Sequence, residues 1–351
     1  ERMKIWAERY PKTYLWLSYL SIFVGIVGMI VFFFFMIWQL HFIMDQDIST
    51  GGGLVLPLKT EEGLDSAVPV FYVPFWYWII AIALLMIVHE FAHGVIAERF
   101  KIKIKSSGLA FFGIFLPILP GAFVEPDEKQ LQKKPWWQQI AVLGAGSTSN
   151  LLFGALFLFL WIFAAGAIFN ATMQPGEISF TGVMNESSLA SYNVSSGTIV
   201  RYGDIEDPEK ILQAFQNVSI NETLNLTINT SEGVGTYAIE AFENPRVPGD
   251  GMIGISGLQF AYENEPGYGW LGDVPLHVER VLFYLWFLNI GIGLMNLLPL
   301  WITDGGQIAR VLFNLRFNER RSLQLVHLVS LVSLVLIIFT IWPSSLRLIL
   351  G

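Results

Sequence analysis

The chain has 351 residues, of which 53% are apolar and 14% charged, and its mean hydropathy is positive. An ordinary soluble domain carries about 25% charged residues, so this composition excludes that class and indicates a membrane protein. A formal charge of −8 argues against a nucleic-acid partner, and the lack of any Cys excludes disulfides and thiolate metal sites. A metal would have to use nitrogen and oxygen ligands.

A helix needs roughly 20 apolar residues to cross a hydrocarbon core. Five stretches meet that length, at about 14–40, 75–97, 136–169, 278–300 and 322–345. The first is too long for a cleaved signal peptide and lacks a small-residue cleavage site, so it is expected to stay as an anchor. Lys and Arg collect before span one (Arg2, Lys4, Arg9, Lys12), between spans two and three (Arg99 to Lys105, Lys129 to Lys134) and before span five (Arg310 to Arg321). By contrast, residues 170–275 hold only Arg201, Lys210 and Arg246. This asymmetry places the N-terminus in the cytoplasm and 170–275 outside the cell membrane. Every Asn-x-Ser/Thr acceptor (Asn170, Asn185, Asn193, Asn217, Asn221, Asn225, Asn229) also falls in that loop, which agrees with an exterior surface.

Residues 108–124 are apolar but too short to cross, and Gly108, Gly113, Pro117, Pro120 and Gly121 break any helix. Both flanks are basic, so a re-entrant loop or hairpin is expected, lining a cavity that satisfies its backbone. From about 177 to 260 the chain alternates short apolar runs with Gly, Asn and Pro, the pattern of a small β-rich domain, interrupted by one helical run, Pro208 to Phe215. The expected organisation is an extra N-terminal span and loop (1–74), a membrane core in two parts (75–169 and 276–351), and an external domain (170–275) between them.

Span two contains His89, Glu90, Phe91, Ala92 and His93. Four residues apart on a helix, the two imidazoles share one face and can reach one zinc ion, with Glu90 beside them to act on water. Ionisable groups inside a span are costly, so a trio there implies function; the alternative is two histidines hydrogen-bonded to neighbouring helices. A catalytic zinc site usually has three protein ligands. His41, His277 and His327 lie at membrane edges or in another span and read as interfacial or structural. The better third ligand is Asp304, in the run NLLPLWITDGG (Asn296 to Gly306) that closes span four. Its alternative role is a helix cap, with Gln307 three residues on.

These residues resemble the site-2 protease family of intramembrane zinc metalloproteases. The likeness rests on H-E-F-A-H-G in one span, N-x-x-P-x-x-x-x-D-G-G in a later one, P-G-A-F-V-E-P-D-E after the re-entrant segment, and an external domain between them. It covers about 75–345, and the sequon-rich loop together with the GAFVEPDE phrase looks archaeal. The resemblance implies one Zn2+ held by His89, His93 and Asp304, with Glu90 as base and Asn296 on the substrate backbone. Gly121, Ala122, Phe123 and Val124 would form a strand that holds the substrate, and residues 177–260 would be a PDZ-like domain that filters substrates. The implied fold is a polytopic α-helical membrane protein of about five spans plus a re-entrant loop, with that β-rich domain inserted.

Two positions depart from the family pattern. Where Gly-Pro-x-x-Asn is common, this chain has Gly146, Ser147, Thr148, Ser149 and Asn150, so only the Gly and the Asn carry over; and Trp301 stands where many members have Pro. Asn150 reads either as a donor to the developing oxyanion or as glue between helices. The expected partners are the lipid bilayer and a membrane-protein substrate whose transmembrane helix unwinds before cleavage. Two rival classes are a peptide-binding receptor or scaffold that keeps a structural metal, and a metal transporter, which would repeat polar residues across several spans. The external domain itself either filters by size or merely caps the fold.

Overall fold

The computed structural model describes residues 1–45, 54–58, 70–112, 119–184, 186–215, 217–244 and 249–342. Contacts divide the chain into two units, one of Glu1–Ala165 with Val278–Gly351 and the other of Gly166–His277.

The first unit opens with a short amphipathic helix, α1 (Arg2–Arg9), followed by α2 (Pro11–Asp45), whose ladder widens to a π turn at Val24–Gly28. Pro11 sits in the first turn of α2, where its missing N–H costs nothing. Two short strands, β1 (Leu54–Leu58) and β2 (Val70–Pro74), pair in parallel and lead into α3 (Phe75–Arg99). Strands β3 (Ile104–Phe112) and β4 (Leu119–Pro126) then form an antiparallel hairpin. The Gly- and Pro-rich segment thus becomes extended backbone; the stretch 113–118 lies outside the described residues. Asp127 caps α4 (Glu128–Gln132), accepting from the backbone N–H of Lys129 and Gln130. The latter bond is the main cause that holds its carboxyl below the usual carboxylate range.

The stretch expected as one span from 136 is broken. Helix α5 (Trp136–Leu143) ends at Gly144 and α6 (Ala145–Thr172) begins beyond it. A Cβ at Gly144 would meet the Ser21 carbonyl of α2 at 2.5 Å, so glycine permits this crossing.

The second unit begins in the last turns of α6. Its five-stranded antiparallel sheet has the order β13, β5, β7, β8, β9. The strands are β5 (Met173–Phe180), β6 (Gly182–Val183), β7 (Gly197–Tyr202), β8 (Thr223–Thr230), β9 (Gly233–Glu240), β10 (Phe242–Glu243), β11 (Gly251–Met252), β12 (Ile255–Ser256) and β13 (Gln259–Asn264). Two helices join them, α7 (Ser188–Ser191) and α8 (Pro208–Phe215), the latter on the residues its spacing predicted. Along β8 the period of two holds except at Thr227, which is also buried. Leu224, Leu226 and Ile228 are buried with Phe180 and Ile211, whereas Asn225 and Asn229 face out. The six described sequon asparagines are all exposed, and Asn185 lies outside the described residues.

The chain returns through α9 (Val274–Leu297), α10 (Asp304–Asn314) and α11 (Glu319–Ile341). A helix here was expected only on the alternative in which Asp304 caps it; α10 starts one residue earlier than that, with Thr303 as its cap. Among the described residues, α2, α3, α6, α9 and α11 are long and apolar enough to cross a membrane, and the chain is a multi-pass membrane protein.

Burial gives the second unit its stability. Phe180 is 1% exposed in its core, so Phe180→Ala should cost about 3–5 kcal/mol. Hydrogen exchange should then show lost amide protection across 166–277; unchanged protection would show that Phe180 does not hold this core together.

Candidate metal centre

Helix α3 sets the site's first half. His89 and His93 lie one turn apart with ring centroids 4.7 Å apart and Nε2 atoms 3.1 Å apart. The second half comes from the turn between α9 and α10. Helix α9 stops at Leu297, just before Pro299, and the Thr303 hydroxyl donates to the carbonyls of Leu298 and Leu300 at 2.6 and 2.9 Å. Thr303 is also the N-cap of α10, accepting from Gly306 N. Asp304 is therefore not the cap but the first helical residue, with its carboxylate free for another task. Gly305 and Gly306 lie flat against the carbonyls of Leu297 and Leu300, where no side chain fits. From α11, Ser330 donates to the Pro299 carbonyl at 3.1 Å and fixes the turn.

These two parts meet. Asp304 Oδ2 lies 3.4 Å from His89 Nε2 and 3.6 Å from His93 Nε2, with side chains only 11–12% exposed. Among the described residues, this trio has the donor set and spacing to hold a metal ion. Donors set about 2.0–2.1 Å from one tetrahedral ion lie roughly 3.3 Å from one another, so the 3.1, 3.4 and 3.6 Å separations are those of one tetrahedral face.

Each of the three is steadied by a partner from one short stretch. His93 Nδ1 is 2.7 Å from the Val142 carbonyl near the end of α5. Donation there leaves Nε2 with a free lone pair for a metal. Asp304 Oδ2 accepts from the Ser147 hydroxyl at 3.0 Å. His89 Nδ1 is 3.0 Å from Asn150 Nδ2, while Asn150 Oδ1 is buried without a partner. Metal binding through His89 Nε2 puts the ring proton on Nδ1, and turning the carboxamide over gives that proton the orphaned oxygen as its acceptor. Gly146, between these partners, has its Cα hydrogens against both imidazoles; a Cβ there would fall on both Nε2 atoms.

Glu90 lies beside the pair, and its Oε2 accepts from the backbone N–H of Val124 at 2.9 Å. Among the described residues, strand β4 pairs only with β3, so this N–H points from the strand's other edge toward α3. Gly121 is buried on β4, Ala122 and Val124 are half-buried, and Phe123 is exposed. Asn296 is half-buried in the last turn of α9. Asn150 is fully buried against His89. His41, His277 and His327 take no part in the trio. Sequence reasoning missed Val142, because a carbonyl has no motif, and it noted Ser147 only as a departure from a pattern.

Gly146→Ala should cut bound metal at least tenfold while the fold survives, since the added methyl meets both donor nitrogens. Elemental analysis of the purified chain checks this; a full metal complement would mean that the ion sits elsewhere.

Comparison with known proteins shows the family. The profile of peptidase family M50 matches residues 77–340, well over half of the chain and all of the trio. A protein of Vibrio cholerae serotype O1 named Putative zinc metalloprotease is 24% identical over 58% of this chain and 47% of its own length. An uncharacterized protein of Methanocaldococcus jannaschii is 35% identical over 66% of this chain and 56% of its own. The chain thus spans about half the length of these curated relatives. The HExxH helix, the Asp304 turn and the family match over both lead to one conclusion: the chain belongs to peptidase family M50, the site-2 protease family of zinc metalloproteases.

Proposed function

We propose that this chain is a zinc-dependent intramembrane endopeptidase that hydrolyses peptide bonds within transmembrane segments of membrane-protein substrates, as in regulated intramembrane proteolysis. The observation that carries the reading is the meeting of His89 Nε2, His93 Nε2 and Asp304 Oδ2 within 3.1–3.6 Å, next to Glu90. Those three atoms would hold one zinc ion. When bound, zinc supplies a Lewis acid that lowers the pKa of water to about 7 and polarises the scissile carbonyl. Glu90 takes the proton from the attacking water and returns it to the leaving amine.

Substrate has to arrive unwound, because a helix hides its peptide bonds, and at membrane depth the freed backbone groups need partners. Among the described residues, the edge of β4 away from β3 pairs with no strand, and its Val124 N–H donates to Glu90. A substrate segment added along Gly121 to Val124 as a strand would satisfy its backbone there and lie beside the base. Asn296 would contact the substrate backbone. Asn150, already engaged with His89, serves by orienting that ring.

Residues 170–275 are read as an external, PDZ-like domain that restricts substrates by size. Gly203, at φ +55°, makes a tight turn between Tyr202 and Ile205. The sparse Lys and Arg of 170–275 and the exposed sequon asparagines support its extracytoplasmic placement, with the N-terminus in the cytoplasm.

Glu90→Gln should keep its zinc and lose cleavage of a single-span substrate by at least a hundredfold, a drop typical for loss of a general base. Full cleavage by that variant would remove Glu90 from the chemistry. Asp304→Ala should lower both the zinc content and the cleavage; zinc bound normally by a wild-type chain that cuts nothing would favour a peptide-binding receptor with a structural metal instead.

A further inference from the structure

Ser147 lies in the first turn of α6 and is fully buried. A buried hydroxyl needs an acceptor, and inside a helix the default is the carbonyl four residues back. Ser18, Ser21, Thr148, Thr172 and Ser333 all take that default, donating to Tyr14, Leu17, Gly144, Ile168 and Val329 respectively. Ser147 does not. Its hydroxyl crosses to another helix, 157 residues away in sequence, and donates to Asp304 Oδ2 at 3.0 Å.

The oxygen it reaches is the one that faces both imidazoles. An aspartate side chain has two torsions and two equivalent oxygens, so unaided it presents either oxygen over a range of angles. A donor fixed to one oxygen from the side removes that freedom and leaves a lone pair of the same atom directed at the metal position. The neighbouring Gly146 lets α6 approach closely enough for the serine to reach.

We infer that Ser147 is a positioning residue for metal retention: it acts through Asp304, holding Oδ2 as a ready third ligand. The inference rests on the proposed zinc-binding role of Asp304. Hydrogen-bond partners of metal ligands typically contribute about 10–100-fold to metal affinity. Because the hydroxyl orders the ligand and does not touch substrate, its loss should appear in zinc affinity and in the rate of zinc release to a chelator, with KM for substrate little changed.

The test is competition of the detergent-purified full chain with a chromogenic zinc chelator, for wild type, Ser147→Ala, Asp304→Ala and Thr148→Ala. Thr148 is as deeply placed on the same turn but bonds only its own helix, so it reports general disturbance of α6. Expected is a 10–100-fold weaker affinity for Ser147→Ala, a larger loss for Asp304→Ala, and no more than a twofold change for Thr148→Ala. The visible spectrum of the Co2+-loaded Ser147→Ala chain should also shift, as a carboxylate ligand of altered orientation requires. Affinity within twofold of wild type for Ser147→Ala, beside a clear loss for Asp304→Ala, would overturn this inference and leave the ligand assignment standing. Equal losses for Ser147→Ala and Thr148→Ala would also overturn it, marking a packing effect. No loss for Asp304→Ala would overturn the ligand assignment and this inference together.

Discussion

Two imidazole nitrogens and one carboxylate oxygen are gathered from two helices far apart in sequence, on side chains that are only 11–12% exposed. Each polar group buried without a partner costs several kcal/mol. The protein must therefore supply a partner for every one of those side chains, and the architecture around the centre follows from that need. The Val142 carbonyl serves His93, Ser147 serves Asp304 and Asn150 serves His89. All three come from the elbow where α5 breaks and α6 begins, so one element steadies the whole donor set.

Glycine and proline make the approach possible. Gly144 admits the α2 carbonyl at the elbow, Gly146 admits the imidazoles, and Gly305 and Gly306 let α10 start against the end of α9. Pro299 ends α9 where the chain must turn, and Thr303 ties the turn through its hydroxyl, which donates to the carbonyls of Leu298 and Leu300 just past the helix end. Asp304, at the first position of α10, gains both its place and a helix N-terminus that favours a carboxylate. Removing any of these glycines, Pro299 or Thr303 would act on the site through geometry alone.

Much of this was legible in the sequence, for identifiable reasons. The spans showed because about 20 apolar residues in a row have few other uses, and the His pair showed because a spacing of four fixes one helix face. Asp304 was found as a carboxylate beside a helix breaker, though its role as first helical residue was not, since Thr303 takes the cap. The break at Gly144 was hidden because α5 and α6 are apolar on both sides of it. The Asn150 contact with His89 was also hidden, for a motif gives the residue and not the direction of its side chain. Helix α10 was legible only through the capping alternative for Asp304, because two glycines weigh against a helix by propensity, yet here tertiary packing requires them. The segment of β3 and β4 was legible as a re-entrant loop or hairpin, but its registration beside Glu90 depended on contacts that no local pattern carries.

The account stands or falls on one ion bound by these three side chains. Anomalous diffraction at the zinc edge from crystals of the full chain tests this most directly. The account predicts one strong peak about 2.0–2.1 Å from His89 Nε2, His93 Nε2 and an Asp304 oxygen. A peak bound elsewhere, or zinc held by the imidazoles with the Asp304 carboxylate turned away, would contradict it.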